Sequence, residues 1–300
     1  MEVLIQKIVD NKVNFLVNET GVYYCCLMVN GNIKCDDTLE INKNMPYFMV
    51  HECVLDKDVI LKINNKEKRL YKENQIIYMD DFDWGLENEW GKDFIFNEIF
   101  INRCYERIFE VEEGDVVVDI GASIGQFTKS ILHKNPKKVY CIEPSKKEFK
   151  TLISNTKSDF TICINKGIGN IDGEIEVNSD YMLGNEDTMD SITFENFINE
   201  YEIEKIDFLK MDCEGGEYDI FTEDNLPWIK NNVRKISGEW HLEDDNQKIL
   251  FKKFRDDILS QFNNYYIYSL DLYDIKWDLY NDHFLEYYNQ VYIYIDNLWH

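Results

Sequence analysis

Positive charge is scarce in this sequence. The 300 residues include 57 Asp and Glu but only 32 Lys and Arg, so the formal net charge at pH 7 is −25. Proteins bind the phosphate backbone of nucleic acids through clustered Lys and Arg side chains that release counterions. The charge balance therefore argues against a nucleic-acid partner and favours a solvated acidic surface that aids solubility.

Other common features are also absent. The eight cysteines form no CxxC pair and no regular spacing, which argues against metal knuckles and a disulfide framework and favours a reducing cytoplasm. No apolar run approaches the ~20 residues of a membrane helix, and the N-terminus lacks the basic and apolar regions of a secretion signal. The sequence predicts a soluble cytoplasmic protein, and its 44% hydrophobic residues can bury a substantial core.

The first 80 residues have the pattern of short strands. GVYYCCLMV and NIKC flank an Asn-Gly turn, which is a strong hairpin signal. We expect a small antiparallel β-rich module over residues 1–80, whose aromatic side chains pack in a core or line a glycan groove. Presentation of a larger substrate and homo-oligomer contacts are both roles open to it. Turn residues in DDFDWGLENEWGK, residues 80–92, mark the boundary.

Residues 81–300 alternate between strands and helices, which predicts a parallel sheet with crossover helices. DFIFNEIFINRCYERIF has apolar residues at helical spacing, and Ser145 with Glu148 forms a capping-box pattern at a second helix start. NYYIYSLDL and NQVYIYIDN predict a closing antiparallel pair of strands. The parallel strands are predicted at residues 116–120, 138–142, 160–164, 206–211 and 234–239.

VVVDIGASIGQF, residues 116–127, predicts a strand, a tight turn and a helix start. A dinucleotide site needs G-x-G-x-x-G, whose middle glycine lets the pyrophosphate approach the helix N-terminus. Here Ser123 stands between Gly121 and Gly125, and the middle glycine is missing. Glu143, at the end of the second strand, can still accept hydrogen bonds from both ribose hydroxyls. An adenosine cofactor without a diphosphate is therefore favoured over a nicotinamide dinucleotide.

Four segments resemble, in order and spacing, the FkbM-type family of S-adenosylmethionine-dependent methyltransferases: DVVVDIGASIGQF, VYCIEPS, IDFLKMDCEGGEYDIF and SGEWH. The similarity covers roughly residues 95–300, and KMDCEGGE is its most specific part. It implies the class I methyltransferase fold, a Rossmann-like α/β sheet of seven mostly parallel strands with an antiparallel last strand. It also implies that S-adenosylmethionine is the cofactor.

The resemblance further implies a role for individual residues. Asp119 and Gly121 would hold the methionine end of the cofactor, and Glu143 would hold its ribose. The peptide groups of Gly167 and Ile168 would border the adenine. The predicted cofactor site is completed by Tyr105, Ala122, Ser123, Gly125 and Pro144.

Ionisable side chains follow the fourth and fifth strands, at the strand ends where open parallel sheets bind ligands. His241 would be the general base, because an ordinary pKa of about 6.5 leaves it largely neutral at pH 7, and Glu239 would orient it. Asp212 is the competing base, and it could equally hold the substrate hydroxyl or the amino group of the cofactor. Lys210 would pair with the carboxylates or form a structural ion pair with Asp212. Substrate contacts, or caps of the following helix, are predicted for Glu214 and Glu217.

Together these expectations predict an O-methyltransferase that acts on a hydroxyl of a sugar, a glycan or another small polar acceptor. The acceptor class is implied by the resemblance. Nothing in the spacing around His241 demands a divalent cation, so no metal is predicted. The alternative is an inactive methyltransferase fold that serves in binding or assembly, which the intact Asp119, Gly121 and Glu143 disfavour. A nucleotide-dependent oxidoreductase would need the missing glycine.

Overall fold

The chain divides into two units, Met1–Phe82 and Asp83–His300. The computed structural model describes the main chain of seven strands in the first 70 residues and, beyond them, residues 82–84, 95, 97–176, 188–281 and 283–297. The segment 80–92, predicted to mark the boundary, is described only at residues 82–84. The roles predicted for residues 1–80, substrate presentation or oligomer contacts, stay predictions.

The first unit contains two antiparallel sheets, with strand orders β1-β2-β5 and β4-β3-β6-β7. β3 and β4 form the predicted hairpin, in which Val29 pairs with Asn32 across the Asn-Gly turn. The strands are β1 (Val3–Val9), β2 (Lys12–Val17), β3 (Gly21–Val29), β4 (Asn32–Ile41), β5 (Met49–Glu52), β6 (Val59–Ile63) and β7 (Lys66–Leu70).

The second unit is built on a seven-stranded sheet with the order β10-β9-β8-β14-β15-β17-β16. Its first five strands in this order are parallel, and β17 is antiparallel to both β15 and β16. This is the predicted class I methyltransferase fold. The strands are β8 (Val116–Ile120), β9 (Lys138–Ile142), β10 (Thr161–Ile164), β14 (Ile206–Met211), β15 (Val233–His241), β16 (Tyr265–Tyr268) and β17 (Gln290–Asp296).

A three-stranded sheet and seven α-helices in the described residues complete this unit. The small sheet has the order β11-β13-β12, formed by β11 (Gly167–Gly169), β12 (Gly173–Glu176) and β13 (Thr188–Thr193). Among the described residues, no helix combines the length and apolar character that crossing a membrane would require. The helices are α1 (Gln126–Ile131), α2 (Lys146–Asn155), α3 (Phe194–Glu200), α4 (Glu217–Ile220), α5 (Leu226–Asn232), α6 (Asp245–Lys253) and α7 (Phe284–Tyr287).

Hydrophobic cores cover both faces of the large sheet. Alternate residues of a strand point to opposite faces, so Val118 and Leu209 lie in one core while Val117 and Phe208 lie in the other. Strands buried on both faces are continuous apolar runs in sequence, which explains why β8, β9 and β14 have the predicted bounds. The predicted cap is also present, since the Ser145 hydroxyl accepts a hydrogen bond from the Glu148 N–H at the start of α2.

The helix predicted from DFIFNEIFINRCYERIF is interrupted. The described part has a π-helical turn at Asn97–Ile101 and a 3₁₀ turn at Cys104–Glu106. Arg103, between them, has a left-handed backbone with φ of 50°, which an α-helix does not tolerate. Its guanidinium contacts Glu106 and Glu110 at 3.0 Å each, and these ion pairs hold the break in place.

Candidate active site

A cavity of about 680 Å³ opens beside the carboxyl ends of β8, β9 and β14. Most of the residues predicted for the cofactor site contribute to its wall, together with part of the predicted catalytic group. Five other predicted residues, Asp119, Gly125, Glu217, Glu239 and His241, lie outside the lining. The predicted residues that line it are Tyr105, Gly121, Ala122, Ser123, Glu143, Pro144, Gly167, Ile168, Lys210, Asp212 and Glu214.

The turn after β8 is fixed by its neighbours in the sheet. The N–H groups of Gly121 and Ala122 both donate to the Ile142 carbonyl at the end of β9, at 3.0 and 2.9 Å. Gly121 has φ of +70°, and a Cβ atom there would lie 1.6 Å from the Asp212 carbonyl oxygen. The glycine is therefore required by the close approach of the chain after β14, and it brings Asp212 beside the turn.

Gly125 serves packing and does not line the cavity. It precedes α1 with φ of +95°, and a Cβ atom there would meet the side chains of Thr156 and Leu152 at 2.5 and 3.0 Å. The predicted contact of Gly125 with the cofactor is thus replaced by a contact between the start of α1 and the end of α2.

Glu143 lies buried at the end of β9 and borders the cavity. Its two carboxylate oxygens accept hydrogen bonds from the N–H groups of Ser123, at 2.8 Å, and Ser145, at 2.7 Å. Burial raises the pKa of Glu143 to about 7. Because a carboxylate has about four acceptor positions, two remain for hydroxyl donors in the cavity. This arrangement fits the ribose contact predicted from sequence.

Lys210 pairs with Asp119 and not with Asp212, since the register of β14 on β8 places Lys210 opposite Asp119. The Lys210 ammonium lies 3.2 Å from Asp119 Oδ1 and donates to the Gly121 carbonyl at 2.6 Å. Burial lowers the pKa of Lys210, but the carboxylate charges of Asp119 and Asp212 outweigh it and the net shift is upward. Asp119 also accepts from the Thr128 hydroxyl at 2.7 Å. Asp119 is fully buried and lies behind the wall of the cavity, and its contact with the methionine end of the cofactor stays a prediction.

His241 is buried among carboxylates. Its Nδ1 atom lies 3.2 Å from Glu217 Oε1, and its Nε2 atom lies 3.3 Å from Glu214, 3.8 Å from Glu239 and 3.9 Å from Asp212. Burial lowers the pKa of His241, but the hydrogen bond and charge of Glu217, with the charges of Asp212 and Glu214, raise it to about 10. An imidazole with that pKa is protonated at pH 7 and cannot accept a proton. The prediction that His241 is a neutral general base is wrong.

Two further expectations for this cluster are corrected. Glu239 does not orient the imidazole, because Glu217 holds Nδ1. Glu217 cannot contact substrate, because it is fully buried and also accepts a hydrogen bond from the Cys213 N–H at 3.0 Å, next to the start of α4. Glu217 therefore satisfies the backbone there and fixes the ring of His241.

Asp212 and Glu214 are the carboxylates of the cluster that reach the cavity. Their side chains are 31% and 28% exposed. Asp212 Oδ2 accepts a hydrogen bond of 2.7 Å from the Tyr105 hydroxyl, which fixes the carboxylate. Burial raises the pKa of Glu214 to about 7 against the opposing charge of His241.

Glu98 and Met189 are among the wall residues that were not predicted from the sequence. Glu98 lines the same cavity, accepts a hydrogen bond from the Tyr292 hydroxyl, and has a pKa raised by burial. Met189 lies against Gly167, where an added Cβ would be 2.9 Å from the Met189 methyl carbon. Glu98 falls in a segment that reads as an amphipathic helix, and Met189 follows the undescribed residues 177–187, so neither carried a local signal of a site.

Comparison with known proteins gives one family match. Residues 119–266 match the family model described as Methyltransferase FkbM domain, within the region where the sequence resemblance was found. No match was found among curated protein sequences.

Solved structures with similar folds differ strongly in sequence. Precorrin 8W decarboxylase from Methanobacterium thermoautotrophicum is 16% identical, with 73% of this chain and 99% of that chain covered and a TM-score of 0.38. The fibrillarin/Nop5p complex is 12% identical, with 80% and 94% covered and a TM-score of 0.43. A protein from Streptococcus mutans in complex with SAH is 12% identical, with 63% and 91% covered and a TM-score of 0.39.

Proposed function

The chain belongs to the FkbM methyltransferases through residues 119–266 and uses S-adenosylmethionine as its cofactor, and we propose that it methylates a hydroxyl group of a sugar, a glycan or another small polar acceptor. The observation that carries the proposal is the group of carboxylates, Glu98, Asp212 and Glu214, that lines the cavity at the end of β14 and beside Tyr105. Carboxylates accept hydrogen bonds from hydroxyl donors, and one of them can take the proton that a hydroxyl must lose.

The chain offers a fitting set of residues for the cofactor. Glu143 keeps two acceptor positions toward the cavity after bonding Ser123 and Ser145, which suits a pair of ribose hydroxyls. Gly167 and Ile168 border the same cavity near Pro144, where we place the adenine. When bound, S-adenosylmethionine supplies an electrophilic methyl group on its sulfonium.

Asp212 and Glu214 have different roles in this proposal: Asp212 orients the acceptor and Glu214 removes its proton. Tyr105 occupies Asp212 Oδ2, so Asp212 acts as a fixed hydrogen-bond acceptor that orients the acceptor molecule. Glu214 has no side-chain hydrogen bond among the described residues apart from its contact with His241, and it takes the hydroxyl proton. His241 lies behind both carboxylates, with its Nε2 atom 3.3 Å from Glu214 and 3.9 Å from Asp212.

The test is methyl transfer with a panel of acceptors. Purified full-length protein is first titrated with S-adenosylhomocysteine by calorimetry and then incubated with S-adenosylmethionine and hydroxylated or amine acceptors, with products identified by mass spectrometry. We expect methylation of hydroxyl oxygens alone. Methylation confined to nitrogen acceptors would overturn the acceptor class. Binding of S-adenosylhomocysteine without transfer to any acceptor would support the inactive binding protein instead.

A pair of variants tests whether Glu214 takes the proton of the acceptor hydroxyl. Glu214→Gln keeps the shape of the side chain but removes its basicity, so it should retain cofactor affinity and lose roughly 10²- to 10⁴-fold in turnover. The matched control is Glu243→Gln, because Glu243 is exposed, bonds Gln290 and lies outside the cavity lining. Equal turnover in both variants would remove Glu214 from the reaction.

A further inference from the structure

We propose that Asp212, Glu214 and His241 bind a divalent cation at the end of β14 and β15, with Glu239 as the fourth protein ligand. Binding of the cation depends only on these residues. Its role, which is to bind and polarise the acceptor hydroxyl, rests on the function proposed above.

The ligand atoms are already close to coordination distances. Asp212, Glu214 and His241 each offer one ligand atom, and these three atoms lie within 4.8 Å of one another. His241 Nε2 is 3.3 Å from Glu214 Oε2 and 3.9 Å from Asp212 Oδ1. Octahedral bonds of about 2.2 Å separate neighbouring ligand atoms by about 3.1 Å and opposite ones by about 4.4 Å. Small side-chain shifts therefore bring the three atoms onto one ion.

Glu239 is a further carboxylate beside the same three residues. Its side chain is only 10% exposed, and it forms an ion pair with His241. Oε1 of Glu239 lies 3.8 Å from His241 Nε2, so it points at the same place as Asp212 and Glu214. Burial of a charged carboxylate is costly unless the group is paired, and metal coordination is one of the ways in which proteins compensate such a group.

The orientation of His241 also suits a metal ligand. Nδ1 faces Glu217 Oε1 at 3.2 Å, and the Cys213 N–H donates to that same oxygen at 3.0 Å. An imidazole held in this way through one nitrogen presents the other as the ligand, as in carboxylate–histidine–metal arrangements. The cation takes the position of the proton on Nε2, which faces the carboxylates of Asp212, Glu214 and Glu239.

The mixed donor set indicates the class of ion. Carboxylate oxygens suit Mg²⁺, Ca²⁺ and Mn²⁺, whereas an imidazole nitrogen suits transition metals. Mn²⁺ is compatible with both and prefers six ligands, so two positions stay open for the acceptor hydroxyl and water. Glu214 Oε1 remains free to take the proton while Oε2 holds the ion.

The experiment measures the ion directly. Full-length protein is treated with a chelator, dialysed and titrated with MnCl₂ at about physiological salt, without cofactor or acceptor, while electron paramagnetic resonance follows free Mn²⁺. We expect one saturable site per chain. Asp212→Asn and Glu239→Gln, which preserve side-chain volume, should each weaken binding at least about tenfold, and circular dichroism checks their folding.

A surface pair of the same chemistry provides the control. His283 and Glu286 are exposed and 3.0 Å apart, so His283→Ala should leave Mn²⁺ binding unchanged. Absence of a saturable site, or equal affinity in the wild type, Asp212→Asn and Glu239→Gln, would overturn the proposal. S-adenosylhomocysteine binding and methyl transfer are measured on the same preparations. Transfer without a Mn²⁺ site defeats the metal proposal alone, and a Mn²⁺ site without transfer to any acceptor defeats the proposed function alone.

Discussion

We expect Glu143 to make cofactor affinity depend on pH. Burial, with a smaller contribution from the charge of Glu148, raises the pKa of Glu143 to about 7. In the proposed ribose contact the ionised carboxylate would accept hydrogen bonds from the hydroxyls, so binding would favour the ionised form. Affinity should therefore be highest above pH 7 and fall by up to about tenfold per pH unit below it. Calorimetric titration with S-adenosylhomocysteine between about pH 8 and pH 6 measures this change.

Glu143→Gln is the matched control for that titration. The amide keeps an acceptor oxygen but does not ionise, so its affinity should be weaker than that of the wild type above pH 7 and nearly constant with pH. A wild-type affinity that does not vary between pH 6 and 8 would show that Glu143 is not the ribose ligand.

Single residues also mark where sequence reasoning fails. The position of Glu143 at the cavity was predicted, because Glu143 follows a strand in the chain and strand ends meet at one edge of a parallel sheet. The charge state of His241 was not, because it depends on four carboxylates that converge only in the folded chain. Glu217 is contributed by α4, and Asp212 and Glu214 follow β14, whereas His241 is the last residue of β15. Their distances to the imidazole cannot be read from spacing along the sequence.

At the scale of elements, the contact between the β8 turn and the end of β14 should be intolerant of any side chain. Gly121→Ala puts a Cβ atom 1.6 Å from the Asp212 carbonyl oxygen at a φ of +70°. The two strand ends must separate, and we expect a loss of about 3–5 kcal/mol in the free energy of unfolding. Thermal unfolding monitored by fluorescence measures the loss.

Gly114→Ala separates this clash from backbone strain. Gly114 has φ of +83° but no atom within 4 Å of an added Cβ. Alanine there should cost only the left-handed strain of about 1–2 kcal/mol. Equal losses in the two variants would mean that strain alone explains the requirement for glycine at residue 121 and that the contact with Asp212 is unimportant.

The elements differ in how well their sequences predict them. Parallel strands buried on both faces, such as β8 and β14, are apolar runs bounded by polar residues, so their limits are local properties. The segment around Arg103 has helical periodicity, yet its backbone turns left-handed there. The ion pairs of Arg103 with Glu106 and Glu110 hold the turn, and Lys134, from a distant segment, binds both carboxylates. Local periodicity carries no information on such a contact.

At the scale of the whole molecule, negative charge should exclude nucleic acids as acceptors. The net charge of −25 repels a polyanion at long range. Acidic residues also outnumber basic residues in the wall of the cavity. Its cationic residues are Lys147 and Lys210, and Lys210 forms an ion pair with Asp119. The acidic residues of the wall are Glu98, Glu143, Glu148, Asp212, Glu214 and Asp219.

Fluorescence anisotropy with labelled single-stranded RNA tests this exclusion. We expect no binding at about 10 µM protein in about 100 mM salt, and none when the salt is lowered to about 20 mM, because weaker screening strengthens the repulsion. A nucleic-acid-binding protein shows the opposite dependence, with affinity that rises steeply as salt falls. RNA binding that strengthens at low salt would therefore indicate a local basic surface despite the negative net charge. Nucleic acids would then be candidate acceptors.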